Sequence, residues 1–127
     1  MANPPDIVSV AHIYGKSECT KLNSTSAIDI MANVPTNYSH KVNQIIVSNI
    51  DGTNNCDVSI YIDKNGTAYY IAYTITIPAD SSLSLIDTPL YLNYDAGNSV
   101  GDKLVAVAQT ASDLDVCVSY EAITDVA

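Results

Sequence analysis

Two histidines are the first side chains to consider for acid–base chemistry, because histidine ordinarily changes its charge between pH 5 and pH 8. His12 and His40 lie far apart in the sequence. Neither belongs to a GxSxG elbow, an HExxH helix or a phosphate-binding GxxxxGK[ST] loop. Since a lone histidine is usually packed or solvated, we predict no catalytic residue and a protein that is not an enzyme.

Oxygen-rich loops are the next candidates, because hard cations such as calcium prefer carboxylate and amide oxygens. Residues 51–57 place Asp51, Thr53, Asn55 and Asp57 at alternating positions. Residues 63–66 show a weaker form of the same oxygen-rich pattern. Neither loop is followed by the bidentate glutamate that an EF-hand requires, and Asp, Asn and Gly are also ordinary turn residues. We therefore predict no metal site and no cofactor.

The third group is three cysteines, Cys19, Cys56 and Cys117, an odd number without CxxC spacing. Reducing cytosol keeps such residues as thiols, and unreactive cysteines are usually buried. We expect three free and mostly buried thiols. Burial is expected least for Cys117, because it lies on the face opposite the apolar side chains of its segment.

Composition limits the classes of partner. The chain has 127 residues, 14 acidic against 5 basic side chains, and a formal net charge of −9. Nucleic acids and anionic membranes are gripped mainly by Lys and Arg, so we expect neither as a partner. Nine tyrosines are the only aromatic residues, since Phe and Trp are absent. We expect an aliphatic core and amphipathic tyrosines at its border or in interfaces.

In most of the segments that would position these residues, apolar and polar side chains alternate with a period of two, which predicts β-strands. The clearest case is a hairpin in which residues 56–63 and 69–77 flank the turn pair Asn65-Gly66, with Tyr69, Ile71, Tyr73, Ile75 and Ile77 alternating strictly. Residues 42–50 form a largely apolar run that predicts a central strand covered on both faces. Further strands are predicted at residues 83–86, 90–94, 103–109 and 114–120.

The first part of the chain is less regular. Apolar residues 7–14, the pair Gly15-Lys16 and residues 17–22 predict a hairpin, and residues 27–34 form another apolar segment. No stretch has convincing helical periodicity. We therefore predict an all-β fold: a single antiparallel β-sandwich of jelly-roll type spanning residues 1–127, with an extended N-terminal arm or hairpin at 1–35 and a regular strand core at 42–124.

Four phrases in the second half of the sequence occur in a distinctive order. They are SNIDGTN at residues 48–54, AYYIAYT at 68–74, IPADSSL at 77–83 and LDVCVSYE at 114–121. The set resembles small virion structural proteins of cyanophages and related tailed bacteriophages. The chain departs from that pattern at Ala122, where a second acidic residue is usual, and at Cys56 and Cys117, where small or apolar residues are usual.

The resemblance implies a non-enzymatic virion protein, such as a capsid decoration or cement protein on the outside of the major capsid lattice. Its partners would be the major capsid protein, other virion proteins and further copies of itself, for instance in a trimer. The segment Met1-Ala2-Asn3-Pro4-Pro5 has no basic leader or apolar h-region, so we expect assembly in the host cytoplasm. Two alternatives are open: a neck, collar or tail component, and a glycan-binding β-sandwich module.

Overall fold

The computed structural model describes residues 10–125, which form ten β-strands. Within this range there is no helix of the length and apolarity needed to cross a membrane. The strands are β1 (His12–Leu22), β2 (Ile28–Met31), β3 (Tyr38–Asn49), β4 (Cys56–Lys64), β5 (Thr67–Ile77), β6 (Ser82–Ser84), β7 (Leu90–Asp95), β8 (Val100–Gly101), β9 (Lys103–Ala108) and β10 (Leu114–Thr124).

Two antiparallel sheets make the sandwich. One has the order β1-β10-β3-β7-β8, with β6 also paired to β3, and the other has the order β2-β9-β4-β5. Apart from the short β6 and β8, the strands pair in a nested order. β1 pairs with β10, β2 with β9, β3 with β7, and β4 with β5. This nested pairing is the wrapped arrangement of a jelly roll, and it confirms the predicted fold class.

The core lies between the sheets and is aliphatic, as the composition predicted. Along residues 114–120 of β10, alternate side chains enter it and the intervening side chains face outward. Leu114, Val116 and Val118 are fully buried, whereas Cys117 and Ser119 are exposed. The largest fully buried side chains come from both sheets: Leu22, Ile30, Met31, Ile45, Ile60, Ile77, Leu92, Leu104 and Leu114.

The hairpin of β4 and β5 is confirmed. Asn65 and Gly66 have φ values of 50° and 86°, the left-handed conformations that a two-residue turn of this kind requires. The strict alternation predicted for residues 69–77 is wrong. Thr74 has a φ of 48°, and the β4–β5 register shifts at two places, so the inward-facing set changes phase along β5. The hydroxyl of Ser59 accepts the Thr74 N–H at 2.9 Å and supports this irregularity.

The predicted turn at Gly15-Lys16 is also wrong. Residues 12–22 form one continuous strand that pairs with β10 at every position from His12↔Thr124 to Leu22↔Leu114. The apolar residues before Gly15 and the polar residues after it lie on one strand because the long β10 supplies a partner along the whole ladder. Residues 1–9, the first part of the predicted arm at 1–35, lie outside the described residues.

A bulge interrupts the alternation of β3, within the largely apolar run predicted at residues 42–50. The prediction that β3 is central is confirmed, since it lies between β10 and the strands β7 and β6. Its outer face is not covered, because Asn43 and Gln44 are exposed. The β3–β10 register shifts at Ser119/Tyr120, which inserts Asn43 as an extra residue and returns Ile45 to the core.

Candidate interaction surface

The two histidines lie on the same sheet but do not form a catalytic pair. His12 is on the exposed β1, with its ring stacked on Tyr14 at a centroid distance of 5.7 Å. His40 is on β3, and β10 separates the two strands. Since neighbouring strands are about 4.8 Å apart, two strand spacings put the backbones of the histidines beyond hydrogen-bond reach.

His40 is buried against aromatic rings rather than presented to a substrate. Its ring lies 4.9 Å from that of Tyr120 and 6.2 Å from that of Tyr38. Its Nδ1 has no hydrogen-bond partner within residues 10–125. Burial, with a smaller contribution from the Lys16 ammonium, lowers the pKa of His40 from 6.5 to about 4. The imidazole is therefore neutral at physiological pH and serves as a packed core group.

The oxygen-rich loop after β3 uses its carboxylate to hold its own backbone. Asp51 Oδ1 accepts the N–H groups of Thr53 at 2.8 Å and Asn54 at 3.2 Å, and Oδ2 accepts the Asn54 amide at 3.3 Å. These hydrogen bonds lower the pKa of Asp51. The buried amide of Asn49 donates to the carbonyls of Asn54 and Ile77, each at 2.9 Å. The loop is therefore a self-satisfied turn.

The second loop behaves in the same way. Asp63 Oδ1 accepts the Gly66 N–H at 2.8 Å, which closes the β4–β5 turn. Between residues 10 and 125, no three His, Cys, Asp or Glu side chains are grouped as metal ligands.

The cysteines correct the prediction of general burial. Cys56 is buried in the core, whereas Cys19 and Cys117 are both exposed. The last two are direct partners in the β1–β10 ladder, and their Sγ atoms are 2.7 Å apart. Sequence spacing gave no indication of this pair, because 98 positions separate the two residues.

Exposed aromatic rings gather on the edge strand β5 and its neighbour β4. Tyr70 lies opposite Tyr61, and its ring is 5.1 Å from that of Tyr61 and 5.0 Å from that of Tyr73. Tyr70 is 50% exposed and Tyr73 is 66% exposed. We call Tyr61, Tyr70 and Tyr73 the tyrosine cluster. Such rings offer a large apolar body and a hydroxyl, a combination that is enriched in protein interfaces.

The edge strand β1 is a second unusual surface. Among residues 10–125 its only strand partner is β10, so no further strand of this range pairs with its other side. Almost all its side chains are exposed, and only Leu22 is fully buried. Ile13 is 58% exposed and Tyr14 is 44% exposed. The strand is thus held mainly by its backbone ladder and is suited to accept a further strand from a partner.

The two surfaces lie on opposite sides of the sandwich. β1 contacts β2, and β2 and β5 are the two ends of the four-stranded sheet. The open strand β1 is therefore at one side, and the tyrosine cluster is at the other. A domain with an interaction surface on each side can contact two neighbours at once.

Comparisons with known proteins identify the fold but no family. No family model matches the chain, and no curated protein matches it. A chain of the acid-stable capsid structure of Helicobacter pylori bacteriophage KHP30 aligns with a TM-score of 0.52 and 9% identity, over 92% of this chain and 91% of that one. The two chains share a fold.

A chain of the capsid asymmetric unit of cyanophage Pam1 aligns with a TM-score of 0.48 and 15% identity, over 98% of this chain and 92% of that one. A chain from Bacillus endospore appendages, described as disulfide-linked pili, aligns with a TM-score of 0.47 and 17% identity, over 86% of each chain.

Proposed function

We propose that this protein is a non-enzymatic structural component of a bacteriophage virion that binds the outside of the capsid lattice as a decoration or cement protein. It would be assembled in the host cytoplasm, and its partners would be the major capsid protein and further copies of itself. Residues 1–127 would act as one domain.

The observation that carries the proposal is the placement of exposed apolar surface at two opposite edges. Ile13 and Tyr14 are exposed on β1, and Tyr69, Tyr70 and Tyr73 are exposed on β5. The rings of Tyr70 and Tyr73 contact each other, and exposed apolar side chains that are grouped in this way are typical of contact sites. Because the groups are on opposite sides of the sandwich, one copy can link two neighbouring subunits, which is the mechanical task of a cement protein.

Two further observations support the virion context. The ordered phrases at residues 48–54, 68–74, 77–83 and 114–121 resemble phage structural proteins. The jelly-roll fold is shared with a chain of a phage capsid structure. His40 packs against aromatic rings, and Asp51 and Asp63 hold turns.

The copy number in purified particles tests the proposal. A protein that covers a shell is present in hundreds of copies, whereas a neck or tail protein is present in a dozen or fewer, because a closed ring holds few subunits. We expect hundreds of copies by quantitative mass spectrometry against labelled peptide standards. A dozen or fewer would favour the neck, collar or tail alternative, and absence from particles would remove the virion role.

The N-terminal contribution can be separated from the sandwich. Residues 1–9 precede β1, and the β1–β10 ladder begins at His12. Deleting residues 1–9 should therefore leave the folded sandwich intact and reduce its binding to particles from which the protein has been stripped. Full binding by the truncated protein would show that the two edge surfaces are sufficient and that residues 1–9 are not needed for attachment.

A further inference from the structure

An exposed pair of cysteines joins the first and last strands of the sandwich. Cys19 and Cys117 are directly opposite in the antiparallel β1–β10 ladder, and Cys117 Sγ donates a hydrogen bond to Cys19 Sγ at 2.7 Å. Directly opposite residues of an antiparallel pair have Cα atoms about 4.5–5.5 Å apart, and a disulfide accepts Cα separations of about 4.4–6.8 Å. The backbone therefore needs no rearrangement for the two sulfurs to bond.

We propose that Cys19 and Cys117 are a dithiol site that closes to an intramolecular cross-strand disulfide when the protein meets a disulfide-containing, oxidising medium. The bond would fasten the open edge strand β1 to β10. The chemistry belongs to the folded chain itself and does not depend on the virion role.

The location gives the bond a structural purpose. β1 buries only Leu22 completely, so its side chains contribute little packing to hold it in place. Next to the cysteines, Lys21 and Asp115 form an ion pair at 2.7 Å, but both side chains are substantially exposed. Exposed ion pairs contribute little to stability. A covalent link in the same ladder would therefore add a restraint that these side chains do not provide.

The reaction balances with a low-molecular-weight disulfide as the oxidant. One cysteine loses its proton to solvent, and its thiolate attacks the small disulfide, forming a mixed disulfide and releasing one small thiolate. The second cysteine then loses its proton and attacks the sulfur of the first, and the second small thiolate leaves. Both electrons pass to the small disulfide, which takes up two protons as two small thiols.

The surroundings of Cys117 slow its reaction at neutral pH. The hydrogen bond to Cys19 raises the pKa of the Cys117 thiol, as do its partial burial and the nearby charges, including that of Asp115. Since the thiolate is the attacking species, a raised pKa reduces the reactive fraction at neutral pH. We therefore expect oxidation to accelerate as the pH rises, and to be faster in an Asp115→Asn variant.

The third cysteine is not a competing partner. Cys56 is fully buried, and its Sγ contacts the carbonyl oxygens of Asp57 at 3.7 Å and Thr110 at 4.0 Å. It should remain reduced during oxidation of the folded protein, so it provides an internal control.

The test incubates the purified full-length protein with oxidised glutathione at mildly alkaline pH. After removal of the reagent and denaturation, the number of free thiols should fall from three to one. The mass should fall by two hydrogen atoms, and peptide mapping should find Cys19 linked to Cys117. Hydrogen exchange of the β1 amides should become slower in the oxidised protein.

Matched variants assign these effects. Cys19→Ser and Cys117→Ser should abolish the slower exchange in β1, whereas Cys56→Ala should retain the link. Three outcomes would overturn the proposal: retention of all three thiols, persistent mixed disulfides with glutathione, or disulfide-linked dimers in place of the intramolecular link. The peptide map of the unaltered protein decides between these results even where a variant fails to fold.

Discussion

The carboxylate of Asp102 lies 2.7 Å from the ammonium of Lys64, and the Asp102 side chain is only 6% exposed whereas that of Lys64 is 49% exposed. The same carboxylate oxygen accepts the backbone N–H of Asn93 at 3.0 Å. Lys64 ends β4 in one sheet, and Asn93 belongs to β7 in the other. One buried carboxylate therefore connects the two sheets of the sandwich.

Replacing Asp102 by Ala should lower the free energy of unfolding by roughly 1–3 kcal/mol, because the Asn93 N–H loses its partner. Lys64 can turn to water and adds little to the loss. Asp29→Ala is the matched control, since Asp29 pairs with Lys103 at 3.3 Å and is about half exposed. It should cost less than about 0.5 kcal/mol. Equal losses in urea unfolding would show that Asp102 has no special role.

The fold should lose stability as the pH falls from 6.5 to about 4, because the pKa of His40 is lowered to about 4 by burial. In this range the unfolded chain binds a proton at His40 and the folded chain does not. The stabilisation is therefore complete above pH 6.5 and is lost by about pH 4. Because water still reaches part of the ring, we expect a loss of roughly 1–2 kcal/mol rather than the full conversion of the pKa difference.

Urea unfolding at a series of pH values measures this loss. In His40→Leu the contribution of His40 should vanish. A pH dependence that is the same in His40→Leu and in the unaltered protein would contradict the assignment to His40.

Gly101 is a site of close backbone approach. A Cβ built there would overlap the backbone carbonyl oxygen of Val34, whereas a Cβ at Gly15 would meet no atom within 4 Å. Gly101→Ala should therefore destabilise the protein by about 1–3 kcal/mol through overpacking. Gly15→Ala should leave the melting temperature unchanged or slightly raised. If both variants melt alike, the contact of residue 101 with Val34 does not limit the fold.

The tyrosine cluster should matter for binding and not for folding. Tyr70→Ser and Tyr73→Ser remove rings that are half or more exposed, so melting temperatures should change little. Each variant should bind stripped particles at least about tenfold more weakly, as expected for an aromatic anchor in an interface. Tyr91→Ser, which alters an exposed ring of β7 in the other sheet, is the control. Unchanged occupancy for the cluster variants would place the interface elsewhere.

Much of the fold could be predicted because its signals are local. The Asn65-Gly66 turn and the alternation of residues 114–120 depend on neighbours in sequence, and both are confirmed. The irregularities near Asn43 and Thr74 arise where the register between two paired strands shifts. The sequence of one strand does not contain that register, so these segments were predicted as an apolar run and as strict alternation. The Gly15-Lys16 pair was predicted as a turn because the sequence of residues 12–22 does not show that β10 pairs with them along one continuous ladder.

The candidate surface was predictable only in part. The abundance of tyrosine indicated interface residues, and Tyr70 and Tyr73 are indeed exposed. The pairing of Cys19 with Cys117 depends on the register of the first and last strands, which no local pattern specifies. The burial of His40 likewise results from the long-range packing of its ring against Tyr120.

The most direct test of the proposed function is a cryo-electron microscopy reconstruction of the capsid of purified particles. We predict two-sheet density of this fold on the outer surface of the shell, repeated across the lattice, with β1 or the tyrosine cluster against a neighbouring subunit. A bare outer shell, with this fold found only at the neck or tail, would contradict the decoration role.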